Sequence, residues 1–122
     1  MTGDERPEVV EQAEAAYEAI RRINHITCGP LPAPLAYQVL GNLKMVGHSL
    51  PQALRQLGDG LVVSLDEYDV YEDDGRDPAG SVAAAQDHLE RAAELATQVG
   101  EHLECAQSAI SRQGYRSAED DR

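Results

Sequence analysis

The stretch DPAGSVAAAQDHLERAAELATQVGEHLECAQSAISR, residues 77–112, decides the fold of this chain. Within it, small and apolar residues recur at alternating steps of three and four. Val82, Leu89, Ala96, Leu103 and Ile110 hold one line of a heptad, and Ala85, Ala92, Val99 and Ala106 hold the other. Side chains on a strand repeat every two residues, so this spacing predicts a helix of the coiled-coil kind. Asp77 is placed to cap the free amides of the first turn. Pro78 fits the first helical position, which needs no N–H. Gly114 is expected to close the helix in a left-handed conformation. At 1.5 Å per residue the rod spans roughly 54 Å, which is long for so small a chain. Its knobs are mainly alanine. They let a partner helix come close but bury little apolar area per layer.

The rest of the chain fits a helical partner for that rod. The 122 residues suit one domain, residues 1–116, with a modest core, followed by a mobile tail at 117–122. Phe and Trp are absent, so the core must be Leu, Val, Ile and Ala, which suits helices better than a sandwich. A first helix is predicted from about residue 7 to residue 25, with Val9, Ala13, Ala16, Ile20 and Ile23 as its stripe. Glu8, Glu11 and Glu14 lie near its positive end. The prolines at 30, 32 and 34 hold a stiff, extended connector. A second helix is predicted from residue 34 to Gly47, and a third from Ser49 to about residue 68. Ser49 and Gln52 match a capping box, and Pro51 is tolerated in a first turn. Gly41, Gly58 and Gly60 sit inside these helices, where a close neighbour or a bend explains glycine. The expected fold is therefore all-α, an antiparallel bundle of four helices with a long C-terminal one. Three shorter helices cannot cover that last one. Its far end, with Val99, Leu103, Ala106 and Ile110, is expected to be a homodimer seam.

The net charge of −12 is unevenly spread. Residues 66–77 alone carry seven acids and one base. A chain this acidic repels phosphates, so direct nucleic-acid binding is not expected, whereas a basic protein partner is. The expected docking site is Asp66, Glu67, Tyr68, Asp69, Tyr71, Glu72, Asp73 and Asp74, the tyrosines serving as apolar anchors. A calcium loop is excluded by pattern. Counted from Asp69, the third position is Tyr71 and the sixth is Asp74, where an EF-hand needs an acid or amide and then glycine. No apolar run approaches the length that spans a bilayer, so no membrane partner is expected. The N-terminus MTGDE lacks the basic and apolar regions of a signal peptide, which points to the cytoplasm.

Chemistry finds little support. His25 with Cys28, and His102 with Cys105, form two His-x-x-Cys pairs of a type that suits tetrahedral zinc. In an up-down bundle the end of the first helix lies beside the start of the last, far from His102. Two unrelated reduced cysteines are expected instead, with no metal and no cofactor. Ser49, Ser64, Ser81 and Ser108 sit in no nucleophile motif, and no Gly-rich loop follows a strand. The chain is not expected to be an enzyme.

The segments LPAP at 31–34, VLGNL at 39–43, YDVYEDDGRDP at 68–78 and AQSAISRQGY at 106–115 carry a resemblance. Residues 33–116 resemble uncharacterised small helical proteins of Streptomyces and related actinobacteria, some of them associated with plasmids or integrating elements. The resemblance implies a habitat and supplies no catalytic residue. The expected function is a non-enzymatic helical protein–protein interaction module, a homodimeric adaptor or regulator. The alternative is an acidic nucleic-acid mimic that occupies a basic DNA-binding partner, which requires acids spread over an extended face. A small secreted helical-hairpin effector ranks below both, because the Trp-x-Gly turn of that family is missing.

Overall fold

The heptad of residues 77–112 does form a helix, and its two ends show how far local signals reach. In a computed structural model, which describes residues 6–117, the chain folds into α1 (Glu8–Ile26), α2 (Ala33–Glu67) and α3 (Pro78–Ala109). Asp77 caps α3 as its side chain suggests: the carboxylate accepts a hydrogen bond from the Ala79 amide at 3.0 Å, and Pro78 follows it. The other end departs from expectation. α3 stops at Ala109, with Ile110 as its C-cap, and Gly114 is not in the left-handed region. The only described glycine there is Gly75, at φ 82°. The Gln113 amide bonds to the Ile110 carbonyl instead, so a turn ends the helix before a glycine is needed.

Among the described residues the expected four helices are three. The predicted second and third are one helix, α2, running unbroken through Gly47, Ser49 and Pro51. Ser49 is therefore interior and caps nothing. The proline ring leaves the Gly47 carbonyl without its usual donor four residues on, which normally favours a break. Here both residues are buried on the side turned to α3. A Cβ on Gly47 would lie 2.7 Å from the Gly100 Cα and 2.9 Å from its nitrogen. The two backbones meet there, so glycine marks a crossing and not a terminus.

The antiparallel register follows from contacts along the pair. Gly58 faces Gln86 and Leu89, Arg55 pairs with Glu90, Gly47 meets Gly100, and Gly41 faces Gln107. At 1.5 Å per residue α2 is about 52 Å long and α3 about 48 Å, so each covers the other almost end to end. That removes the length mismatch behind the expected uncovered end of the last helix. The inward side of α3 consists of Val82, Leu89, Ala96, Leu103 and Ile110, as expected, beside Ala93, Gly100 and Gln107. The second line is thus one residue on from the alanine and valine line of the sequence pattern. Glycine at the crossing shifts it: Gly100, not Val99, lets the helices touch.

The chain divides into two compact units between Pro32 and Ala33. The first holds α1, none of whose residues is buried. It ends where the Thr27 amide and hydroxyl both donate to the Ile23 carbonyl, at 3.0 and 2.7 Å. The second holds the α2–α3 hairpin. Its buried hydrophobic residues are Val82, Ala93 and Ala96, and no large side chain is fully buried among the described residues. Of the expected mobile tail, residues 118–122 lie outside the described residues.

Candidate functional site

The loop that joins α2 to α3 is built from its own acids. The Gly75 amide donates to the Glu72 carbonyl at 3.0 Å, and glycine's freedom at φ 82° lets the chain turn. The Arg76 amide donates to Asp74 Oδ1 at 3.1 Å, and the Arg76 guanidinium pairs with Asp74 Oδ2 at 2.6 Å. Ser81 Oγ bonds to the Glu72 carboxylate, tying the loop to the first turn of α3. Asp77 is the cap already described. Glu72, Asp74 and Asp77 therefore hold the loop in shape. Asp66, Glu67, Asp69 and Asp73 are exposed, and their side chains take no hydrogen bond and no ion pair from the described residues. Tyr68 and Tyr71 are exposed beside them. The eight expected docking residues thus cluster in space, but they divide into a framework pair, Glu72 and Asp74, and a presented set.

The four expected seam residues separate. Leu103 and Ile110 are half-buried on the inward side of α3, whereas Val99 and Ala106 are exposed on its flank. That flank continues through Leu95, which is 59% exposed. On α2 the matching flank carries Val46, Leu50 and Leu57, all exposed. Sequence spacing alone does not mark these residues as a surface, because each α2 fragment, taken as a separate helix, can turn its apolar side to an internal core. The signal that could have found them is the width of the apolar arc on α2, which exceeds what a single neighbour covers.

The opposite flank carries charged side chains, with Val62 and Met45 exposed among them on α2. Arg55 forks onto Glu90 there, with Nε 3.0 Å and 3.2 Å from the two carboxylate oxygens and a terminal nitrogen 3.1 Å from one of them. This hydrogen bond holds the Glu90 carboxyl below the usual glutamate value; slight burial acts against it and the charge of Arg55 adds to it. Buried Gln107 donates from Nε2 to the Tyr37 carbonyl at 3.0 Å. Gly41 makes room for it, since a Cβ there would lie 2.8 Å from that nitrogen.

His25 and Cys28 lie at the end of α1, where Cys28 Sγ donates to the Asn24 carbonyl at 3.3 Å. His102 and Cys105 lie on α3, in the other unit, and both cysteines are exposed. Among the described residues no group of three or more His, Cys, Asp or Glu side chains is placed to hold a metal. No described helix is long and apolar enough to cross a membrane. No family model matches the chain, and no curated protein or solved structure matches it.

Proposed function

We propose that this chain is a non-enzymatic helical protein–protein interaction module, a homodimeric adaptor or regulator of the cytoplasm. One observation carries the reading: the hairpin leaves its large apolar side chains, Val46, Leu50, Leu57 and Leu95 among them, open to solvent. Two paired helices whose buried hydrophobic residues are Val82, Ala93 and Ala96 have a small core, and uncovered apolar area of this kind marks an association surface. The acidic loop supplies a second contact, for a basic protein partner, through Asp69 and Asp73 with Tyr68 and Tyr71. Native mass spectrometry of the protein from its own host tests this. A dimer that retains a second protein is the expected result, and a bare monomer overturns it. Charge reversal at Asp69 and Asp73 should weaken that partner while leaving the helical circular dichroism intact. Asp74 is unsuitable for this test because it holds the turn. Unchanged binding removes the loop from the interface.

A specific observation also favours the acidic mimic. Asp87, Glu90, Glu94, Glu101 and Glu104 repeat at steps of three, four and seven, so they line one outer ridge of α3. At 1.5 Å per residue that ridge runs about 26 Å. Competition with DNA for a basic partner, lost when Glu94 and Glu101 become Gln, would establish this second reading.

A further inference from the structure

The hairpin has two unlike sides, and the Arg55–Glu90 pair shows which is which. In an antiparallel helix pair, corresponding flanks of the two helices lie on the same side of the seam. Arg55 and Glu90 join across one side. His48, against Gly100, and Gly41, against Gln107, lie on that same side. Stepping by sevens along α2 on the opposite side gives Leu43, Leu50 and Leu57, and then Val39, Val46 and Ala53. On α3 the same side gives Ala85, Ala92, Val99 and Ala106, and then His88, Leu95 and His102. From residue 36 to residue 64 of α2, and along all of α3, no position on this side is Asp, Glu, Lys or Arg. In a chain that is 26% charged, an uncharged side running the length of two helices is not an average surface.

We infer that this side is the homodimer interface: it packs on the same side of a second copy, completing a four-helix bundle with the two acidic loops at opposite ends. The inference rests on the homodimer reading above and specifies its surface. Three arguments favour a second copy over a basic protein partner. Area is the first. Two helices about 50 Å long and 8–10 Å apart present roughly 900 Å² per copy, about what one partner contributes to a stable interface. The second is charge. Each copy carries −12, so copies repel wherever acids face acids, and on this side neither helix sets an acid against its mate. A basic partner, which the loop suits, finds no acid here to pair with. The third is fit. A second copy brings an uncharged surface of the same length, with small residues, Ala53, Ala85 and Ala92, to receive the large Leu50, Leu57 and Leu95.

The placement of the loops follows from electrostatics. Residues 66–77 carry seven acids and one base. Pairing with loops at the same end would bring two such segments together. Turning one copy end for end separates them by the hairpin's length, several Debye lengths at about 8 Å each. In that arrangement the middle of α2 crosses the middle of its mate, and Leu50 lies near Leu50 of the second copy.

Sedimentation equilibrium of the full chain, paired with cysteine cross-linking, tests the inference. Leu57→Glu should convert dimer to monomer. Val63→Glu, at a valine 54% exposed but outside this side, should leave the dimer unchanged. Because Leu57→Glu can also disturb folding, a second variant decides: with Cys28 and Cys105 replaced by Ser, Leu50→Cys should give a disulfide-linked dimer on mild oxidation, and Val63→Cys should not. A wild-type monomer at all concentrations, or a one-to-one complex with a different protein in place of a self-pair, overturns the homodimer reading and this interface together. A wild-type dimer that survives Leu57→Glu and gives no Leu50→Cys cross-link overturns the interface alone.

Discussion

Gly47 and Gly100 set the distance between α2 and α3 with backbone and not with side chains. A methyl group on Gly47 meets Gly100 main-chain atoms at 2.7 and 2.9 Å, and main chain cannot swing aside. Gly47→Ala should therefore destabilise the hairpin by about 1–3 kcal/mol, the usual range for overpacking, despite alanine's better helix propensity. Gly80 is the control. Nothing lies within 4 Å of its Cβ position, so Gly80→Ala should stabilise the chain by about 0.4–1 kcal/mol. Urea unfolding of the two variants checks both signs. Equal effects at the two positions would mean that the crossing is not as close as the structure has it. Gly41 works differently, since the group nearest to it is the amide end of Gln107, which can move.

At the scale of the element, α2 is the informative case. Its outer ends are legible in the sequence: the start near residue 34 and the end near residue 68 both agree with Ala33–Glu67 to within one residue. Its continuity is not. Gly47, Ser49 and Pro51 read locally as a stop, a cap and a first turn. Only α3, some fifty residues away in sequence, makes continuity worthwhile by packing on Gly47, Pro51 and Gly58. The same distant contact moved the inner line of α3 from Val99 to Gly100. The ends of α1, by contrast, fell within one residue of expectation, because caps and connectors are local. Between the elements, the Arg55–Glu90 fork has a pH signature. Its hydrogen bond lowers the Glu90 value in the folded state, so its contribution is present above the ordinary glutamate value of about 4.3. It is lost as pH falls through the depressed folded value. Thermal melts of wild type and Glu90→Gln should differ at pH 7 and converge in acid, with a smaller gap in high salt because the pair is exposed.

At the scale of the molecule, the acidic loop was legible as a cluster because its charge is contiguous in sequence. Which acids it spends on its own shape was not, since that depends on where Gly75 and Ser81 sit. The long uncharged side was hidden for a related reason: its two halves lie on different helices and join only through an antiparallel register. If two copies pair along that side end for end, the loops lie far apart. Spin labels at Asp73→Cys, in a chain whose own cysteines are replaced by Ser, should then give a distance near or beyond 50 Å, about the length of a 35-residue helix. A distance under about 25 Å would place the loops together, against the charge argument.

The glycine crossing also has a genetic consequence. Every single-base missense change of a glycine codon inserts a residue that carries a Cβ. At most positions of this hairpin a missense change trades one side chain for another of neighbouring size, and the helices can adjust. At Gly47 no such small step exists, because the first added carbon already meets backbone. In a library of random single variants selected for folded protein, Gly47 should stand as a bare column beside tolerant glycines such as Gly80. The chain can drift in sequence around that point, but not through it.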